Sequence, residues 1–366
     1  MKTLLAVATI MGTVVGAGIL GLPYAISESG FIPGLALILI ITFSMTLLLL
    51  YLGEVVLRCK EVYQLPGLVN KYLGKNAAKL TLVLFALSIY SALISYLTGM
   101  GELMPGYKKE FMTVFTIIMS YFIYKGVHSL GKSQLVLMSL KVGLILTISL
   151  TLIPSINVNN LTTINTSKLF YPFGVVFFAL TGYSVIPELE QVLIKDKNKF
   201  KKSVIIGMTS CMALYIIFSL TMIGAYNSNI NQIATESLNN SLKTIGLLLV
   251  ILSMTTPFIG LGVALKDMFV HDLKMNNKTA VLLTIGAPLI INLLFNPSFV
   301  EPLLISGTYS GGLTGLIIIA LWLKSRKQGT IKKEYKAPLG IAGAVIVTSA
   351  IIIGVTMTTL ELTGII

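Results

Sequence analysis

Gly12-Thr13-Val14-Val15-Gly16-Ala17-Gly18-Ile19-Leu20-Gly21-Leu22-Pro23-Tyr24-Ala25 decides how this chain is read. The stretch continues an apolar run from the N-terminus, yet it holds four glycines and a proline. Glycine lowers the cost of leaving helical geometry, and proline suits the first turn of a helix that restarts. The stretch therefore reads as a break inside a membrane-spanning helix. Two other readings compete with it. Gly16-Ala17-Gly18-Ile19-Leu20-Gly21 satisfies the dinucleotide fingerprint G-x-G-x-x-G, but no strand precedes it and it lies within a span, so the motif lacks its βαβ context. Small residues also let helices pack closely, which explains glycines without any break.

The rest of the chain supplies the membrane. Of its 366 residues, 55% are hydrophobic and 11% charged, and the mean hydropathy is +0.89. A soluble domain carries about 25% charged residues. Apolar runs near the ~20 residues needed to cross a bilayer recur along the whole length. They predict eleven spans, at about 3–27, 31–57, 78–103, 111–128, 132–154, 170–193, 202–226, 242–270, 279–295, 299–323 and 337–360. The N-terminal run continues through the glycines into a second span, unlike a signal peptide, which ends at a cleavage site. Cys59 and Cys211 are too few for a disulfide framework and read as packing residues.

The net charge of +13 raises the question of nucleic acid, and its placement answers it. With the N-terminus inside, Lys2, Arg58, Lys60, Lys71, Lys75, Lys79, Lys125 and Lys132 fall in inner segments. So do Lys195, Lys197, Lys199, Lys201, Lys202, Lys266, Lys274, Lys278, Lys324, Arg326, Lys327, Lys332, Lys333 and Lys336. Only Lys108, Lys109, Lys168 and Lys243 fall outside. Positive charge favours cytoplasmic loops, so the basic residues read as orientation signals rather than a nucleic-acid patch. The expected topology is a multi-pass cell-membrane protein with a cytoplasmic N-terminus and an outside C-terminus. Residues 63–75 read as a short amphipathic segment on the inner surface.

The sixth span repeats the feature of the first. In Phe177-Phe178-Ala179-Leu180-Thr181-Gly182-Tyr183-Ser184-Val185-Ile186-Pro187, polar and small residues interrupt the apolar run. Interrupted spans at matching positions of two halves point to the site of a secondary transporter. Five spans separate the breaks, so the halves, about 3–154 and 170–323, have inverted topology. Backbone freed at membrane depth must be buried in protein or line a cavity. N–H groups near Gly16, Ala17, Gly18 and Ile19, aided by the half-helix dipole, suit an anion. Carbonyls near Val14, Phe178 and Ala179 suit a cation. Together they match a zwitterion.

Lys141 stands near the middle of the fifth span, in Ser139-Leu140-Lys141-Val142-Gly143-Leu144. A lysine at the bilayer centre costs roughly 2.5–3.5 kcal/mol on insertion scales and marks a functional site by default. It reads either as a proton carrier or as a structural lysine bonded to carbonyls of a helix break.

The residues 12–25 resemble the first-span signature of the amino acid/auxin permeases and the bacterial tryptophan/tyrosine permeases, within the amino acid–polyamine–organocation superfamily. Phe178-Ala179-Leu180-Thr181-Gly182 resembles the sixth span of that family, Ser95-Tyr96-Leu97-Thr98-Gly99 its third, and Thr256-Pro257 through Asp267 its eighth. The resemblance implies the leucine-transporter fold: an all-α membrane protein with five plus five inverted spans, one extra helix, and breaks in spans 1 and 6. It implies one transporter domain over 1–366 and an amino acid as substrate. Substrate contacts are expected from Thr13, Val15, Gly16, Ala17, Gly18 and Ile19; from Ser95 and Tyr96; from Phe178, Ala179, Thr181 and Gly182; and from Thr256. Many sodium-coupled relatives use an adjacent Thr/Ser pair on the eighth span to hold sodium. Here the pair reads Thr256-Pro257, one hydroxyl short. Some proton-coupled relatives carry a lysine on the fifth span in place of that ion, and Lys141 matches. The expected partners are therefore an amino acid, a proton and the bilayer, with sodium as the alternative ion and no metal centre or cofactor.

Other residues carry weaker expectations. Ser95 and Tyr96 stand between packing and substrate contact, and Phe178 between an occluding gate and core. Glu54 reads as a solvated or capping group at a span end. Glu188 and Glu190 are candidates for gate charges, and His128 and His271 read as surface residues. No H-E-x-x-H, paired-cysteine zinc motif, G-x-S-x-G or Walker loop occurs, which leaves an enzyme or ATP-driven pump without support. A channel or a non-transporting amino acid sensor could share the broken spans; a sensor would usually add a polar extension.

Overall fold

The computed structural model describes residues 2–59, 63–126, 132–186, 189, 193, 199–271, 273–328 and 336–365. His128, Pro187, Glu188, Glu190 and part of the basic segments lie outside the described residues. All regular structure among the described residues is helical.

The predicted spans reappear as helices in order. The first is split into α1 (Lys2–Val14) and α2 (Gly18–Ser29), which meet at 60°. Then come α3 (Phe31–Val56), the short α4 (Leu65–Leu73), α5 (Lys75–Glu102), α6 (Lys108–Lys125), α7 (Lys132–Leu152) and a single turn, α8 (Asn159–Thr162). The sixth span begins as α9 (Pro172–Leu180), with its proline at the first helical position. It is followed by α10 (Phe200–Tyr226), α11 (Asn240–His271) and α12 (Asn277–Phe295). The tenth span comprises α13 (Val300–Ile305), a π-helical stretch (Ser306–Gly311) and α14 (Gly312–Gln328), and α15 (Gly340–Leu362) closes the chain order. Eleven spans were expected. Among the described residues, by length and composition, eight helices can cross a membrane, or nine with the bent pair α1–α2 as one. Two expected spans fall short for visible reasons. The α6 helix carries Lys108, Lys109, Glu110 and Lys125 in its 18 residues, and α9 stops after nine.

Local sequence explains the junctions. Gly30 has φ 96°, a left-handed conformation that an L side chain resists, and it joins α2 to α3 in one residue. Asn276 caps α12 by accepting from Thr279 N at 2.8 Å, and Asn296 ends it in the αL conformation. Within the spans, polar side chains cross-link helices. Thr98 donates to Asn292 Oδ1 at 2.7 Å, joining α5 to α12, and Ser88 pairs with Ser306 at 3.0 Å, joining α5 to the π-helical stretch.

Glu54 is fully buried, not solvated as expected from its place at a span end. Its carboxylate accepts from Trp322 Nε1 at 2.7 Å, Ala337 N at 3.0 Å and Arg326 Nε at 3.2 Å, and pairs with Arg58 one turn on. Tyr51 stacks on Trp322 with ring centroids 4.3 Å apart, and the Arg326 guanidinium lies 4.4 Å from the same ring. One carboxylate thus ties α3, α14 and the approach to α15 together. The far end of α15 holds a different partner. Glu361 Oε1 accepts from Phe170 N at 2.7 Å, just before α9, and Thr358 donates to Phe170 O at 3.1 Å. Gly354 lets the Phe173 ring of α9 lie directly on α15.

Removing one member of a buried ion network leaves its partners uncompensated. Glu54→Ala is expected to lower stability by about 3–5 kcal/mol, and Glu54→Gln by less, because the amide oxygen still accepts. Trp322 is the single tryptophan, so its fluorescence during denaturant unfolding in detergent follows this site directly. A Glu54→Ala midpoint equal to wild type contradicts the network.

Candidate functional site: the crossing of two helix breaks

The α1 ladder runs out at Val15, whose N–H still reaches Met11 O at 2.7 Å. Gly16 N turns back to Val14 O at 2.9 Å, and Leu20 N reaches Ala17 O at 3.0 Å. Ala17, Gly18 and Ile19 donate to no backbone carbonyl among the described residues. These three N–H groups open α2, whose dipole favours an anion there. The unwound part is Val15–Ala17. Gly18 and Ile19, expected within it, already belong to the first turn of α2, because the helix resumes as soon as the bend is made.

The second break follows the same logic. Thr181 is extended, at φ −65° and ψ 121°, with its N–H on Phe178 O at 3.1 Å and its hydroxyl on Phe177 O at 2.9 Å. Val185 N returns to Gly182 O at 3.2 Å. The break falls within the interrupted stretch 177–187.

The two breaks face each other. A Cβ on Gly18 would lie 2.8 Å from both Cα and Cβ of Ala179, and one on Gly182 would lie 3.0 Å from Val14 Cγ2. Gly18 therefore gives close approach between α2 and α9, rather than space for a carboxylate. Gly16 is the glycine with room: nothing lies within 4 Å of its Cβ position. The free N–H groups of Ala17, Gly18 and Ile19 adjoin that space in sequence.

The carbonyls at the breaks are not bare. Tyr215, on α10 and fully buried, places its hydroxyl 2.8 Å from Val14 O and 2.8 Å from Ala179 O. The expectation of free carbonyls at Val14 and Ala179, waiting for a cation, is corrected by this tyrosine. Its ring lies in an unremarkable apolar run, and its acceptors are 201 and 36 residues away, so no local pattern singles it out. Asn292 was also passed over, although a lone amide inside an apolar span is a recognisable signal.

Lys141 is 4% exposed, and its Nζ donates to Thr256 Oγ1 at 3.2 Å. Thr256 gives its own proton to Leu252 O at 2.9 Å, so its lone pairs are free for the lysine. The helix that carries Lys141, α7, packs against α1, α10 and α11. Lys141 and Thr256, singled out separately in the sequence, thus meet. Ser95 is fully buried with its hydroxyl unpartnered among the described residues, and Tyr96 is buried. Phe178 is half-buried, and Thr13 bonds back to Thr9 O at 3.1 Å. Thr256 and Ser95 make no hydrogen bond to either break among the described residues.

Charge at the Ser29 end of the bundle is organised in pairs. Lys168 pairs with Glu28 at the end of α2, and Lys108 with Glu102 at 2.5 Å. In the loop before α11, burial and the Glu102 carboxylate push Glu236 up to about 7, against Lys108 and Lys243. That loop is therefore most stable with Glu236 protonated and loses this stability as pH rises through about 7. Among the described residues, no group of three or more His, Cys, Asp or Glu side chains comes together to hold a metal.

Two spans broken at mid-depth and crossing at their breaks place the protein among membrane proteins of the leucine-transporter fold. MhsT, solved in complex with L-phenylalanine, has the same fold: the TM-score is 0.69 over 98% of each chain, at 14% identity. The family is narrower than the fold. The model of the tryptophan/tyrosine permease family matches residues 1–360, and the chain belongs to that family of transporters. Tyrosine-specific transport system 1 of Haemophilus influenzae is 24% identical over 355 residues, 89% of each chain. Glutamine transporter 2 of Aliivibrio fischeri is 26% identical over 287 residues, 71% of this chain and 74% of that protein.

The packing of the glycines gives a test of the site geometry. Gly18→Ala must push Ala179 away and is expected to destabilise by about 1–3 kcal/mol. Gly16→Ala meets open space and should stay within about 1 kcal/mol of wild type. Denaturant midpoints of the two variants in detergent compare them directly, and the reverse order contradicts the crossing described above.

Proposed function

We propose that this protein is a proton-coupled amino acid permease of the cell membrane. The observation that carries the reading is Lys141, buried at mid-span with its Nζ 3.2 Å from Thr256 Oγ1. A sodium ion at that place would need oxygen ligands. Pro257 withholds a hydroxyl, and the lysine ammonium supplies positive charge instead. A lysine can hold a proton and release it, which an arginine cannot. Protonated, Lys141 links α7 to α11; deprotonated, it loosens that link and lets the helices move apart. Proton loss is thereby coupled to access.

The substrate lies in the space beside Gly16. Its carboxylate takes the N–H groups of Ala17, Gly18 and Ile19, while Ser95, Tyr96, Phe178, Thr181 and Gly182 bound its other side. The family and the relatives named for tyrosine and glutamine support a neutral amino acid, with tyrosine, tryptophan and glutamine the first to try. The chain acts as one transport unit. Its repeats are 3–154 and 170–323, the full eleven segments cross the membrane, and the N-terminus faces the cytoplasm.

Topology is tested by single cysteines at two exposed positions. Lys202→Cys should react only with reagents that reach the cytoplasm, and Asn159→Cys only from outside. The opposite pattern rejects the orientation.

Coupling is tested by uptake of labelled tyrosine and glutamine into proteoliposomes under imposed pH or sodium gradients. Wild type should accumulate substrate on a proton gradient. Lys141→Ala should keep some binding and lose the pH dependence, and Lys141→Arg should lock the charge and stop accumulation. Proton-driven uptake that survives in Lys141→Ala removes Lys141 from the mechanism. Wild-type uptake that needs sodium and ignores pH favours sodium coupling.

A further inference from the structure

Val14 ends α1, and Ala179 is the next-to-last residue of α9. Their carbonyl oxygens both stand 2.8 Å from one point, and that point is the hydroxyl of Tyr215. Two carbonyl dipoles aimed at one place between half-helices form the beginning of a cation site. The hydroxyl has a single proton to share between them. It fills the place, gives the Ala179 carbonyl a partner and the Val14 carbonyl a second one beside Gly16 N, and fastens the first break to the second. No other described residue does so. Gly18 against Ala179 and Gly182 against Val14 bring the breaks into contact through apolar atoms, and such contacts alone fix no angle.

We propose that Tyr215 is a positioning residue that pins the two breaks together and occupies, with its hydroxyl, the position a metal cation would take between them. The space beside Gly16 is then set without an ion, and substrate binds equally well with or without sodium. The binding part of this proposal rests on the reading of the breaks as an amino acid site; the pinning part does not.

Tyr215→Phe keeps the ring and removes the bridge. Hydrogen–deuterium exchange of the purified protein reads the pin without any substrate. Peptides over 11–20 and 174–186 should exchange at least tenfold faster in Tyr215→Phe, both together, while peptides from α15 match wild type. Phe218→Leu, a fully buried position on the same helix, controls for general loosening and should leave both break peptides within twofold of wild type. Wild-type exchange at either break in Tyr215→Phe, or equal acceleration in Phe218→Leu, overturns the pin. Binding of L-tyrosine and L-glutamine is then measured in sodium chloride and in choline chloride. Wild-type affinities should agree within twofold between the salts, and Tyr215→Phe should bind about tenfold more weakly in both. A wild-type affinity that rises tenfold with sodium overturns the ion replacement. If neither amino acid binds wild type in either salt, the functional reading fails, and the exchange comparison still decides Tyr215.

Discussion

Backbone polar groups cannot be left bare at the depth of a hydrocarbon layer, and the rest of this structure follows from that constraint. An unbroken helix satisfies it internally. Interrupting the first span at Val15–Ala17 and the sixth at Thr181 frees donors and acceptors that need partners elsewhere. The acceptors at Val14 and Ala179 find theirs in Tyr215. The donors at Ala17, Gly18 and Ile19 find none in the backbone of the described residues, which is the condition for a site that receives an anion from outside. The fold can carry the breaks because each rests on the other, glycine to alanine and glycine to valine.

Two buried charges are treated in opposite ways. Glu54 is surrounded by four donors and is locked. Such a carboxylate binds helices together and has no reason to change its state. Lys141 has one neutral acceptor, Thr256, among the described residues. A hydroxyl oxygen accepts more strongly from an ammonium than from an amine, so the contact weakens when the proton leaves. Full satisfaction marks structure; partial satisfaction by a neutral partner leaves chemistry available.

Glycine and proline carry their meaning locally, so the breaks at 12–25 and 177–187 were legible from the order of residues alone. So were the helices, because apolar runs of span length have few other uses. The assignment within the first break was less secure. The sequence gives no way to tell which of Gly16 and Gly18 faces a void and which faces Ala179, since that depends on an approach between segments some 160 residues apart. Tyr215 and Glu54 were opaque for the same reason: the Glu54 partners Trp322, Arg326 and Ala337 are 268 to 283 residues away. Among the described residues the sixth span shows only its first half, α9 of nine residues, because the run it continues into falls largely outside them. Lys141 and Thr256 were found because each breaks a local rule, a charge and a proline within apolar helices.

The grip of α15 on the start of α9 bears on how the molecule is made. Glu361 and Thr358 hold Phe170, and Gly354 seats Phe173. In chain order α15 leaves the ribosome after every other described helix. Until it does, α9 has its place opposite α2 but no carboxylate at its first N–H groups and no surface for the Phe173 ring. This late helix is therefore the one that completes the first half of the second break. A chain interrupted before α15 would insert its earlier helices with the start of α9 still without the contacts that seat it.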